Sequence, residues 1–189
     1  MTAERTLSDP QGLAMVATVK AFLDDMGWTY EPSEREAGDR VLLTTRIHVD
    51  PVLSRTVFDI VVSRQRFGLF AYVPFNVPKE QRMAVTEYLT WANYRLFLVK
   101  FEFDLSDGEI RAVCTVIPEE SDLSVAMVRR MCRDVHSVIE RYVPGILAIV
   151  YGWQTAQQAW QALLDREAAE ANAEETAGAE ETDSVSPTD

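Results

Sequence analysis

Lysine, cysteine and histidine are all scarce in this chain, with three, two and two copies respectively in 189 residues. Two cysteines cannot build the disulfide framework of a small secreted domain. Few lysines and a net charge of −12 disfavour a phosphate-backbone binder, so no direct nucleic-acid contact is expected. The basic spots in the sequence are short, Arg64/Arg66 and Arg129/Arg130/Arg133, and read as solvated surface. No long hydrophobic run occurs. Gly145–Trp153 is the longest apolar stretch, well short of the roughly 20 residues that cross a bilayer. The opening MTAERTLSDP has no signal-peptide core, so a cytoplasmic location without membrane attachment is expected. Gly-x-Ser-x-Gly, the phosphate loop, Gly-x-Gly-x-x-Gly and His-Glu-x-x-His are all missing. The adjacent carboxylates Asp24/Asp25 and Glu119/Glu120 point apart, whereas general acid–base work needs two groups in one cleft. No enzyme, catalytic residue or cofactor is expected.

What is present is a globular body with an acidic end. Hydrophobic residues make up 47% of the chain, enough for one domain with a core. Residues 165–189 hold nine acids and one base, which is −8 of the total −12. The body alone is mildly acidic.

The firmest local pattern is a hairpin. Phe101, Phe103 and Leu105 alternate with polar residues, as in a strand with one buried face. Asp107-Gly108 follows and favours a two-residue type I′ turn. That turn predicts Leu105, Phe103 and Phe101 opposite Ile110, Ala112 and Cys114, with Asp104 meeting Arg111. Upstream, Asp9-Pro10 starts a helix carrying Met15, Val19, Phe22, Leu23 and Met26, and Gly27 ends it. Trp28 and Tyr30 begin an extended segment, and Glu31–Asp39 reads as turn or loop. Residues 40–50, 55–64 and 67–73 read as strands, the first with Leu43, Thr45, Ile47 and Val49 on one face and Pro51 closing it. Pro78 opens a helix with Val85, Tyr88, Leu89, Ala92 and Leu96 as its stripe. After the hairpin, a long helix carries Val128, Met131, Cys132, Val135, Val138, Ile139 and Tyr142, and Pro144-Gly145 should kink or interrupt it. A last helix carries Trp153, Ala156, Trp160, Leu163 and Leu164. The resulting order, α-β-β-β-β-α-β-β-α-α, disfavours a doubly wound parallel sheet. It predicts an α+β fold, an antiparallel sheet with helices mainly on one face.

Two constellations invite chemistry. Cys132 and His136 stand i, i+4, a spacing that can chelate a metal, with Cys114 the one obvious third ligand. Buried cysteine as a small core residue explains the pair better, so no metal is expected. Trp153 and Trp160 are seven apart, two helical turns on one face, and read either as core or as a partner-docking stripe.

Ala92-Asn93, the Phe101-x-Phe103-x-Leu105-x-Asp107-Gly108 hairpin, Arg141-Tyr142-x-Pro144 and Ile149-x-x-Gly152 resemble the YbjN-like family of bacterial proteins, described as sensory-transduction regulators. The resemblance covers about residues 80–152 well and 10–75 by element order. It implies a fold similar to type III secretion chaperones, which are small, acidic, often homodimeric and hold a client on exposed surface. It carries no catalytic position. The expected layout is a YbjN-like α+β domain over 1–152, an amphipathic and acidic helix over 153–175 and a disordered acidic tail over 176–189. The expected role is a chaperone-like or adaptor protein in stress response or regulation, a homodimer that binds a client protein through Trp28, Tyr30, Phe58, Phe70, Tyr72, Trp153 and Trp160. The alternatives are a small-molecule-sensing regulator with a pocket built on Arg95, Arg111 or Arg129, and an accessory factor to a DNA-repair partner.

Overall fold

A computed structural model describes residues 9–32, 40–61, 65–118 and 121–183, with side chains described as far as residue 173. Glu119/Glu120, Val62 and Arg64 lie outside the described residues. Helix α1 (Pro10–Asp25) opens as the sequence predicts: the Asp9 carboxylate accepts the Gly12 N–H at 2.9 Å, and Pro10 takes the first helical position. It closes at Gly27, whose φ of 65° allows the Trp28 N–H to reach back to the Leu23 carbonyl.

Strands β1 (Glu31–Pro32), β2 (Arg40–Val49), β3 (Val52–Val61), β4 (Arg66–Tyr72), β5 (Lys100–Phe103) and β6 (Ile110–Val116) form one antiparallel sheet in the order β1-β2-β3-β4-β6-β5. A 3-10 turn (Lys79–Gln81) leads into α2 (Arg82–Arg95), and α3 (Val125–Val150) and α4 (Ala156–Asp183) follow β6. The element order is the predicted one. The first strand falls on Glu31–Pro32, just beyond Trp28 and Tyr30, and β3 begins at Val52 rather than Arg55.

The hairpin departs from its predicted register. Phe103 pairs with Ile110 and Phe101 with Ala112, a slip of two residues. The cause is a longer loop held by its own carboxylates. The Asp104 side chain accepts the Ser106 N–H at 2.7 Å, and Asp107 accepts the Glu109 N–H at 2.9 Å. A slip of two preserves the faces, so Phe101 remains buried while Leu105 rides out to 51% exposure. Glu102, not Asp104, meets Arg111.

Helices α1 and α3 lie on one face of the sheet; α2 packs beside β5 and α3, and α4 packs on α2 and α3. The core between them contains Met15, Phe22, Leu43, Phe58, Phe67, Leu69, Tyr88, Ile139 and Tyr142, all at 2% exposure or less. Pro144 does not interrupt α3, which runs 26 residues through it. Tyr142, Val143, Ile146 and Ile149 around it are buried, and their burial outweighs the cost of an interior proline, about 3 kcal/mol. The last helix begins at Ala156, so Trp153 precedes it, and its backbone continues past residue 175 to Asp183. Alanine and glutamate are strong helix formers, which carries the helix beyond the point where its apolar stripe ends. Residues 184–189 of the expected tail lie outside the described residues.

Candidate functional site: the open face of the sheet

Side chains alternate between the two faces of a strand. The register places Leu43, Phe58, Leu69 and Cys114 in one cross-strand row toward the helices. The row Arg46, Arg55, Tyr72, Arg111 and Glu102 has the opposite parity and therefore points the other way, across five strands. Beside it run Thr44, Val57, Phe70, Val113 and Lys100, then Leu42, Asp59, Gly68 and Thr115, and finally Arg40, Val61 and Arg66. No described helix packs on this face.

The cations of this face are layered on its aromatics. The Arg55 guanidinium lies 3.8 Å from the centre of the Tyr72 ring, and Arg111 lies 5.0 Å from Phe70. Arg111 also donates to the Tyr72 hydroxyl at 3.1 Å and to Glu102 at 2.7 Å. Burial works against the Arg111 charge, but these two hydrogen bonds outweigh it and hold its pKa above the ordinary arginine value. Gly68 has a packing reason: a Cβ there would sit 2.7 Å from the Phe70 ring. Arg40 grips the buried Asp59 with two hydrogen bonds, 2.7 and 2.5 Å. The result is a shallow depression of about 310 Å³ lined by Arg40, Leu42, Thr44, Arg55, Val57, Asp59, Phe70, Tyr72 and Arg111. It gathers three guanidinium groups, Arg40 held by Asp59, Arg111 by Glu102 and Arg55 within 3.8 Å of Glu109, beside two aromatic rings on an apolar floor. Such a surface binds acidic groups bidentately and apolar groups by stacking.

Asp59→Ala should lower stability by only about 1 kcal/mol in a urea melt, because Arg40 keeps 48% of its side chain exposed and can rehydrate. A loss of several kcal/mol would show that Arg40 is buried more deeply than this geometry allows.

The predicted binding residues divide. Phe70 and Tyr72 stand on the open face. Phe58 does not: it is fully buried on the helix side, 6.1 Å from Phe22 and 6.4 Å from Phe67, because its register is that of Leu43 and Leu69. Trp28 and Tyr30 are half-buried against the core, Trp28 edge-on to Phe22 at 5.7 Å. Trp160 is half-buried 5.9 Å from Tyr88 and 5.8 Å from Trp91. Trp153 lies in the link before α4, 74% exposed and stacked on Tyr151 at 5.0 Å, so the two tryptophans share no helical face. The arginine pocket is not assembled either. Arg95 pairs with Glu167 on α4 and Arg129 with Asp25 on α1, on the helix side of the sheet from Arg111. Arg40, Arg46 and Arg55 were not singled out by sequence reasoning. Their one signal is that they alternate with the apolar positions of β2 and β3.

Cys132 and His136 do meet, Sγ to Nδ1 at 3.6 Å, but the other ring nitrogen lies 3.1 Å from the Thr56 hydroxyl. Among the described residues no three His, Cys, Asp or Glu side chains group as metal ligands. Burial pushes the Cys132 thiol up to about 12 and His136 down to about 4, so both are neutral near pH 7. Among the described residues, no helix is long and apolar enough to cross a membrane.

The fold and this face define a class: an α+β domain with an antiparallel sheet, helices on one side and a basic, aromatic surface left on the other. The family model described as "Putative bacterial sensory transduction regulator", YbjN, matches residues 16–148. The chain therefore belongs to the YbjN family. No curated protein matches it. Its structure is similar to the crystal structure of "YbjN, a putative transcription regulator from E. coli", with a TM-score of 0.53 at 14% identity, covering 68% of this chain and 91% of that one. At that identity the likeness concerns the fold.

Proposed function

We propose that this protein is a non-enzymatic regulator of the chaperone-like or adaptor kind, which acts by holding an acidic segment of a client protein on the open sheet face. The supporting observation is the row Arg46, Arg55, Tyr72 and Arg111 on four adjacent strands. The body as a whole is net negative, so this positive face also orients an acidic client. Aromatic and arginine side chains together are the residue types that dominate protein interfaces. In this reading the protein works in the cytoplasm, as a homodimer, within a regulatory or stress response.

Reversing two charges tests it. Arg55→Glu/Arg111→Glu should weaken binding of a client, identified by capture and then purified, by at least about 100-fold, since each charged contact contributes roughly 1.5–3 kcal/mol. Binding of the wild type should also fall as salt rises toward 0.5 M. Client affinity unchanged by the double reversal would overturn the reading. The depression of about 310 Å³ also supports a second reading, a small-molecule sensor for aromatic anions. A thermal-shift screen separates the two, because only the sensor gains several degrees with such a compound.

A further inference from the structure

We infer that the acidic C-terminal segment of one copy, residues 171–189, occupies the open sheet face of a second copy and competes there with the client. This rests on the reading of that face as the docking surface. The segment holds six acids and no base. The face presents Arg40, Arg46, Arg55, Arg66 and Arg111, opposed among the described residues by Asp59, Glu102 and Glu109.

Helix α4 shows which copy is reached. It is fastened to the body at Glu167, which pairs with Arg95 at 2.8 Å and Arg141 at 3.3 Å, and at Arg166, which donates to the Arg141 carbonyl at 2.7 Å. Residues 171–173 are exposed, and the helix backbone continues to Asp183. Because α4 packs on α2 and α3, it lies on the covered side of its own sheet. Thirteen further residues carry it about 20 Å onward from Glu170. A continuous helix packed on the covered side does not turn back round the sheet, so its C-terminal segment reaches an open face only on another molecule.

Spacing agrees with charge. Positions 174 and 181 recur on one side of a helix, separated by about 10.5 Å of rise. Arg55 and Arg111 stand on β3 and β6 in one row, separated by about 10 Å at the usual strand spacing. A helix laid across the strands can oppose both pairs at once.

Sedimentation velocity at 50 mM and 500 mM salt tests this with three full-length proteins: wild type, a tail reversal (Glu174→Lys/Glu175→Lys/Glu180→Lys/Glu181→Lys) and the face reversal Arg55→Glu/Arg111→Glu. Wild type should self-associate at low salt and dissociate at high salt. Each reversal alone should weaken association at least tenfold, and mixing the two should restore a heterodimer. Fluorescence anisotropy with a labelled polyglutamate 15-mer adds the second readout: the tail reversal should bind this probe at least tenfold tighter than wild type, its competitor being gone. A wild type monomeric at low salt, or a tail reversal that associates as wild type does, overturns the inference. Should the probe still bind in that case and lose affinity with the face reversal, the docking reading stands alone. Failure of the probe to bind the tail reversal overturns both.

Discussion

Gly145→Ala should lower the melting temperature by about 6–12 °C, although alanine is normally the better residue inside a helix by about 1 kcal/mol. Gly145 lies within α3, and a Cβ there would stand 2.3 Å from the Tyr88 hydroxyl oxygen and 2.5 Å from the ring carbon that bears it. Tyr88 cannot give way. It is completely buried, its ring is edge-on to Tyr142 at 6.4 Å and Trp160 at 5.9 Å, and its hydroxyl donates to the Tyr142 carbonyl at 3.3 Å. Overpacking of this kind costs about 3 kcal/mol, and a domain of this size loses roughly 2–4 °C per kcal/mol. Burial also raises the Tyr88 pKa, so the hydroxyl stays protonated and keeps donating. Thermal unfolding followed by circular dichroism checks the sign. A melting temperature at or above that of the wild type would mean that Tyr88 moves freely, contrary to its packing. Tyr88→Leu in the Gly145→Ala background should recover part of the loss relative to the sum of the single changes, because it removes the clashing atoms.

Acid should destabilise the fold between about pH 6.5 and pH 4, with His136 as a main cause. Its imidazole is held between Cys132 Sγ, Thr56 Oγ1 and the Trp28 ring, which lies 6.4 Å away, and burial pushes its pKa down to about 4. No carboxylate faces it in these contacts. The unfolded chain takes up a proton near the ordinary value of 6.5 and the folded one does not until about pH 4. Through that window the unfolded state binds more protons, so stability falls as pH falls. The contribution is fully present above pH 6.5, amounts to about 3 kcal/mol at 1.36 kcal/mol per pH unit, and is lost by pH 4. Urea melts at pH 7, 5.5 and 4.5 measure it. Thr56→Val/His136→Leu, which removes the hydroxyl together with its ring partner, should flatten the dependence across this range. An equally steep slope in the double variant would assign the acid sensitivity to other groups.

Both predictions depend on contacts between residues far apart in the chain, and that is where sequence reading ended. Period-two alternation in 40–49 and 100–103, the Asp9-Pro10 start and the three- and four-residue spacing in α3 were legible, because each is set by neighbours within a turn or a strand. The hairpin register was missed by two residues because Asp104 and Asp107 hydrogen-bond their own backbone, a contest a two-residue turn rule does not include. The binding face was half legible. Phe70 and Tyr72 belong to it. Phe58 was placed with them but has the parity of Leu69, its cross-strand partner, which faces the helices. Net charge concealed the arginine row, since Arg46, Arg55 and Arg111 are nine and 56 positions apart in the chain and become neighbours only through strand pairing.

The sequence by itself determined the order of the elements and the buried face of β2, β4 and the hairpin strands, because burial periodicity is a local property that a strand satisfies on its own. Tertiary structure alone decided that β4 adjoins β6, and with that the positive face on a negative chain. Charges separated by dozens of residues sum into one field only after the sheet brings their strands to within about 5 Å of one another.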